Sequence, residues 1–265
     1  MINKKYLNLI KSRNNFRDNS FIYDVISKRI IDSIDLIKIP FTDILELGVN
    51  ENKIYNFLKK RNPNVKITSL DLAYSNLIKS REDEFILGDI DYYNYKDNVY
   101  NLIFSNFFIH LSEDFEKLIK KIKNSLKPNG FFIASIPDLN NIYQLVNSMY
   151  ETDLDLYNGA YQRVNPTKNI DYILSVLKNN NYDIPTINSD NITIEYNKFS
   201  NLLNDIQTTS LSYCYNDKKN FFEKKNYFNK LEMKYKKKYY KDNFLLDIKF
   251  NIISAWKKWL LRIKD

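Results

Sequence analysis

The stretch DILELGVNENKIYNFL, Asp43 to Leu58, decides the fold. Asp43 to Leu47 is a short apolar run with an acid near its end, and Gly48 follows at once. That order predicts a strand, a tight turn and then a helix. A nucleotide-cofactor fingerprint opens the same way but repeats glycine at two-residue intervals. Here the next two such places hold Asn50 and Asn52.

Strand and helix patterns alternate on both sides of this stretch. Phe21 to Ile37 has apolar residues at helical spacing, and Pro40 stops it. Strand 1 is Asp43 to Leu47, and a helix covers Asn52 to Lys60. Val65 to Leu72 is strand 2, Ser75 to Arg81 a short helix, and EFILGDI contains strand 3. Tyr100 to Ile109 is strand 4. Glu113 to Leu126 is a helix with Ser112 as its N-cap. KPNG makes a turn into strand 5, FFIASIP. This pattern predicts a parallel sheet with helices on both faces. Ligands of such sheets bind beyond the carboxyl ends of the strands. That rule selects Gly48 to Asn52, Asp71, Asp89, Ser105 to His110 and the residues from Pro137 onward.

After strand 5 the pattern changes. Asn140 to Tyr150 and KNIDYILSVLKNNNY read as helices, with the loop Tyr157 to Pro166 between them. Asn191–Tyr196 and Phe244–Trp256 read as the last two strands. Nearly fifty mostly helical residues separate them.

Composition bounds the function classes. A chain of 265 residues with 44% apolar and 15% aromatic residues can bury a full core. One cysteine, Cys214, and one histidine, His110, exclude an internal disulfide and a cysteine- or histidine-based metal site, so no metal is expected. No run suits a membrane span, and the N-terminus lacks the pattern of a secretory signal. A cytoplasmic, reducing setting fits, and a mitochondrial address stays open. The net charge of +8 is uneven: Asp217 to Lys241 holds ten lysines against three acids.

An adenosine-bearing cofactor would need backbone approach at the strand 1 turn, an acid ending strand 2 for the ribose, and a reader for the adenine. Gly48, Asp71 and Asp89 stand at those places, with Asp71 twenty-three residues beyond Gly48. A dinucleotide pyrophosphate needs the missing glycines. S-adenosylmethionine (SAM) has no phosphate, so asparagine, which tolerates a left-handed backbone, is less damaging. Each piece has a plainer reading: Gly48 as an ordinary turn, Asp71 and Asp89 as helix caps. Their order and spacing favour a SAM site, with Glu46, Gly48, Asn50, Asn52, Asp71, Leu72, Asp89, Ile90 and Ser105 as its candidate residues.

LELG, SLD, GDIDYYNYKDNVYNLIFSNFFIHL and LKPNGFFIAS together resemble the class I SAM-dependent methyltransferases. Asp89 to Leu111 is similar to the branch that holds biotin-pathway malonyl-carrier-protein methyltransferases and the complex I assembly factor 5 family. NGAYQRVNPTKNIDYILSVLKNNNY and LLDIKFNIISAWKK resemble the C-terminal half of the latter. The likeness runs from about Phe21 to Trp256. Departures are Asn50, Asn52, Asn101, Asn140, Asn141, Val146 and Ala255. The resemblance implies an α/β fold, a Rossmann-like seven-stranded SAM-methyltransferase sheet with a helical insertion between its last two strands. It further implies a protein substrate in assembly of respiratory complex I, modified by arginine hydroxylation or methyl transfer. A carrier-protein or small-molecule O-methyltransferase, and a non-catalytic assembly chaperone without SAM, are the alternatives.

The expected organisation is a helical segment over 1–40, a methyltransferase-like core over 41–198, a basic helical insertion over 199–243 and a closing strand over 244–265. His110 either lines the substrate entrance, as the one catalytic candidate, or caps the next helix. Tyr157 and Arg163 belong to a loop expected over the site. Arg163 would bind an acidic group of a partner or, more plainly, form a surface salt bridge. Phe221, Phe228, Leu231, Tyr235 and Tyr239 form a stripe expected to pack a lid helix. The lysines of Lys218–Lys241 form a solvated face or dock on an acidic protein or a peripheral membrane surface; nucleic acid is not expected. The location implied is cytoplasmic in a bacterium, or the mitochondrial matrix in a eukaryote.

Overall fold

Five strands pair in parallel through the first half of the chain. The computed structural model describes residues 1–13, 21–49, 52–77, 83–207, 209, 211–218 and 223–258. Two helices come first, α1 (Lys4–Arg13) and α2 (Phe21–Asp35). Then β1 (Asp43–Leu47), α3 (Lys53–Arg61), β2 (Lys66–Asp71), α4 (Tyr74–Leu77), β3 (Glu84–Leu87) and β4 (Tyr100–Asn106) follow. A 3₁₀ turn (Ile109–Leu111) leads to α5 (Phe115–Ser125) and β5 (Leu126–Pro137). The second half holds α6 (Tyr143–Tyr157), α7 (Ile170–Asn179), β6 (Tyr182–Tyr196), α8 (Phe199–Gln207), α9 (Tyr227–Tyr239), β7 (Tyr240–Lys241) and β8 (Asn243–Lys257).

The strand order is β3-β2-β1-β4-β5-β8-β6, with β7 paired to β8 as a short eighth strand. β8 runs antiparallel between β5 and β6. Successive residues of β1 face opposite sides of the sheet, because a strand repeats every two residues. Ile44 joins Ile67, Leu102, Phe104 and the α2 residues Ile26 and Ile30 in one core. Leu45 and Leu47 join Leu70, Ile103 and the α5 residues Leu118, Ile119 and Ile122 in the other. Each large side chain removed from water contributes about 1.5–3 kcal/mol. Burial on both faces is why the central strands read as unbroken apolar runs.

Several boundaries differ from the sequence reading. β4 ends at Asn106 rather than Ile109, because Phe107 turns the chain with φ 48°. α5 is capped by Asp114, whose side chain accepts from Lys117 N, and not by Ser112. The Ser112 hydroxyl is used elsewhere, donating to Asp91. β6 begins at Tyr182, nine residues before the expected start, and absorbs Pro185 in an irregularity between Asp183 and Thr186. In the stripe of α9, Leu231 and Tyr235 are buried and Tyr239 packs against the core, but Phe228 is exposed and Tyr227 takes the inward place. Phe221 lies outside the described residues.

Candidate functional site

The carboxyl ends of β1, β2 and β4 meet at Gly48. Its φ is +79°, and a Cβ built there would lie 2.1 Å from Cγ of Phe108. Glycine is required on both counts: the left-handed backbone and the close approach of that ring. The Gly48 amide donates to the Leu70 carbonyl at 2.9 Å, so the turn stays tied to β2.

Asp71, the last residue of β2, is fully buried. Its carboxylate accepts from Val49 N at 2.8 Å and Ala73 N at 2.7 Å. Its Oδ2 also lies 2.7 Å from Nζ of Lys11 on α1, whose side chain is only 3% exposed. The same ammonium sits 4.0 Å from the centre of the Phe108 ring, a cation–π distance. Asp89, just beyond β3, repeats the arrangement: Lys4 of α1 pairs with it at 3.2 Å and with Asp91 at 3.0 Å. Burial, the largest single effect, lowers the pKa of Lys4, but Asp91 and Asp89 together outweigh it and hold the lysine above its ordinary value. One helix therefore supplies a lysine to each of the two acids expected at a cofactor.

The other expected residues are placed as follows. Glu46 accepts from the Ser69 hydroxyl at 2.9 Å, across β1 and β2. Ser105 donates to the Leu47 carbonyl at 2.7 Å and ties β4 to β1. Leu72 is partly buried and Ile90 fully so, both in the core on the α5 side of the sheet. Asn52 stands at the N-cap of α3 but makes no side-chain capping bond. Asn50 lies outside the described residues. His110 is buried in the 3₁₀ turn and meets the Phe107 ring edge-on at 6.3 Å. It does not cap α5; Asp114 does.

Arg163 is committed inside the molecule. Its guanidinium pairs with the fully buried Asp153, and with Glu223 at 2.8 Å, and lies 4.5 Å from the Tyr227 ring. Hydrogen bonds to those acids raise its pKa further, despite burial. The Tyr157 hydroxyl donates to Glu223 at 2.7 Å. The two residues thus tie the end of α6 and the loop after it to the insertion. Around α9, Lys234 pairs with Asp155 at 2.7 Å, Lys236 with Glu232 at 3.1 Å and Lys238 with Glu151, so part of the basic charge is used on neighbouring acids.

Lys4, Lys11 and Asp91 were not singled out by sequence, whereas Phe108 lay within the selected stretch Ser105 to His110. One local signal existed: Lys4, Leu7 and Lys11 recur at helical spacing, and Leu7 is buried. Their partners lie sixty and more residues away, where no local pattern points.

Comparison with known proteins bears on the fold. Residues 45–134 match the family described as methyltransferase domain. The human mitochondrial arginine-hydroxylase NDUFAF5 is 24% identical over 198 residues, which is 73% of this chain and 57% of that protein. The Dictyostelium discoideum protein of the same name is 32% identical over 112 residues, 42% of this chain and 26% of its own length. A malonyl-[acyl-carrier protein] O-methyltransferase of Calditerrivibrio nitroreducens is 29% identical over 131 residues, covering 46% of this chain and 53% of that one. The chain therefore spans little more than half the length of these relatives at most. Among solved structures, a SAM-dependent methyltransferase of Archaeoglobus fulgidus superposes with a TM-score of 0.51 at 13% identity, covering 89% of this chain and 94% of its own. The YcgJ protein of Bacillus subtilis gives 0.56 at 10% identity over 88% and 97%. Residues 45–134 thus match a methyltransferase domain, and the chain has the fold of the SAM-dependent methyltransferases.

Proposed function

We propose that the chain is a SAM-dependent enzyme that modifies a protein substrate in the assembly of respiratory complex I, by arginine hydroxylation or methyl transfer. The observation that carries the cofactor part is Asp71: a carboxylate at the end of β2, fixed by two backbone amides beside the left-handed Gly48. The donor set suits SAM in type. Asp71 would accept from the ribose hydroxyls, and Asp89 from the adenine amino group. When bound, the group supplies an activated methyl, and none of the chemistry asks for a phosphate cradle at Gly48. Phe108, whose ring packs against Gly48, would help to exclude water there.

The protein-substrate part is supported by similarity to the arginine-hydroxylase relatives over 73% of the chain. The basic insertion would then face an acidic protein surface or a peripheral membrane, with Lys218–Lys241 as the contact. No helix among the described residues is long and apolar enough to cross a membrane. The location that goes with this reading is the mitochondrial matrix, or the cytoplasm in a bacterium. A second reading, a carrier-protein O-methyltransferase, has the Calditerrivibrio relative in its favour. A third, a chaperone without SAM, draws support from Lys11 on Asp71.

Calorimetry with SAM and S-adenosylhomocysteine tests the cofactor. Micromolar binding is expected, and none under any condition removes the enzyme reading. Mass spectrometry of complex I subunits incubated with the protein separates the chemistries: an added oxygen on arginine, or an added methyl group. Methylation of malonyl-carrier protein instead would favour the second reading.

A further inference from the structure

We propose that α1 is an internal plug of the cofactor site, in which Lys11 and Lys4 hold the two carboxylates that SAM would otherwise engage. This rests on the reading of Asp71 and Asp89 as cofactor residues. Asp71 has room for about four hydrogen bonds. Val49 N and Ala73 N take two, and the ammonium of Lys11 takes the outer face of Oδ2. That ammonium also lies against the Phe108 ring, beside Gly48. A ribose hydroxyl and Lys11 cannot both use that face. Lys4 does the same to Asp89, seven residues and about two helical turns away along α1. The spacing of the lysines thus matches the spacing of the acids.

The helix is seated for this role. Its leading residues join the insertion and the start of α5: Asn3 N donates to the Cys214 carbonyl at 2.7 Å and Asn216 N to the Met1 carbonyl at 3.1 Å. Ile2 N donates to Glu113 at 3.0 Å. Lys218 of the insertion stacks 3.7 Å from the Tyr6 ring. The anchor lies at the start of α1, and Lys11 lies in its last turn. Displacing Lys11 therefore leaves the anchor intact. Withdrawing Lys11 strands the Asp71 charge unless ligand hydroxyls take over its hydrogen bonds, so α1 gives way only as a ligand arrives. Apparent cofactor affinity is then the intrinsic affinity reduced by the fraction of molecules with α1 withdrawn. Because α1 and residues 211–218 share backbone bonds, a partner that moves the insertion also changes that fraction.

The probe is S-adenosylhomocysteine, titrated by calorimetry into wild type, Lys4→Met and Lys11→Met, with circular dichroism confirming the fold of each. Removing a plug should tighten binding at least tenfold in Lys11→Met and by a smaller factor in Lys4→Met. Equal or weaker binding in both variants overturns the plug and leaves the cofactor site standing. No binding by any folded chain overturns the cofactor site itself, and the plug with it. Because Lys11→Met leaves Asp71 without its counter-charge, hydrogen exchange on the wild type gives a second measurement. Saturating ligand should speed exchange of the amides from Leu7 to Lys11. Slower or unchanged exchange there would mean that α1 closes on the ligand or ignores it, and would overturn the plug.

Discussion

Nζ of Lys11 lies 2.7 Å from Oδ2 of Asp71, with 3% of one side chain and none of the other exposed to solvent. A charge pair so enclosed is costly to half-remove. Replacing one partner strands the other in a medium that cannot solvate it, at about 3–5 kcal/mol.

Asp71→Asn should therefore lower unfolding stability by an amount of that order, measured by urea denaturation. A loss under about 1 kcal/mol, the size of an exposed pair, would show that water reaches Lys11. The variant also tests the cofactor: loss of a charge-assisted hydrogen bond to ribose costs about 1.5–3 kcal/mol. That is at least tenfold in affinity for S-adenosylhomocysteine, read separately from stability.

Gly48→Ala meets two obstacles at once. Its backbone sits at φ +79°, and its Cβ would overlap the Phe108 ring. The first costs about 1–2 kcal/mol and the second about 1–3 kcal/mol. Truncating the ring relieves only the second, so Gly48→Ala with Phe108→Ala should lose less than the sum of the two single variants. Strict additivity in a double-mutant cycle would mean that the ring is not the obstacle.

Arg163 joins Asp153, which is fully buried, to Glu223 of the insertion. Arg163→Met should cost about 3–5 kcal/mol by leaving Asp153 uncompensated. Arg163→Lys keeps the charge but not the two-pronged geometry, and should recover part of the loss. Limited proteolysis supplies the local readout. Cleavage within residues 158–166 should quicken in Arg163→Met, and cleavage as slow as in wild type would separate this loop from the ion pair.

Cys214 is fully buried, and that burial pushes its thiol up to about 11. Between its ordinary value of 9.0 and about 11, the native state keeps a proton that the unfolded chain has released. Stability from this group is thus complete below pH 9 and lost as pH rises through that window, by about 1.4 kcal/mol per pH unit. Compared with Cys214→Ala, wild type should lose more stability between pH 9 and 10.5. Iodoacetamide at pH 8 should label the thiol only as fast as the chain opens, and immediate labelling would contradict its burial.

The sheet was legible because each parallel strand is an apolar run closed by turn residues, and because helical spacing fills the gaps. Three of the misread places share a cause: a backbone conformation the residue type does not advertise. Phe107, Ile142 and Ile184 all have positive φ, which bulky side chains rarely adopt, and they mark a strand end, a helix start and a strand irregularity. Asparagine did advertise it. Asn98, Asn129, Asn158 and Asn181 all take left-handed backbone in this glycine-poor chain. The site was half legible: Gly48 and the acids follow from strand ends, but Lys4 and Lys11 meet them only through tertiary packing.

Asn52 stands where a fingerprint glycine would be. Its backbone is at φ −113°, a conformation open to any residue, and its side chain makes no capping bond to α3. Its Oδ1 is closed off from solvent and accepts no hydrogen bond among the described residues. The side chain therefore contributes little to the fold, and glycine at an N-cap is only a few tenths of a kcal/mol worse than asparagine even where a cap bond exists. Asn52→Gly should leave stability within about 0.5 kcal/mol of wild type. If the asparagine also stands aside from the cofactor, affinity for S-adenosylhomocysteine should change by less than about tenfold, which is 1.4 kcal/mol. A rise from no detectable binding to micromolar binding would give the opposite answer: the wild-type side chain blocks the site, and the chain acts without SAM.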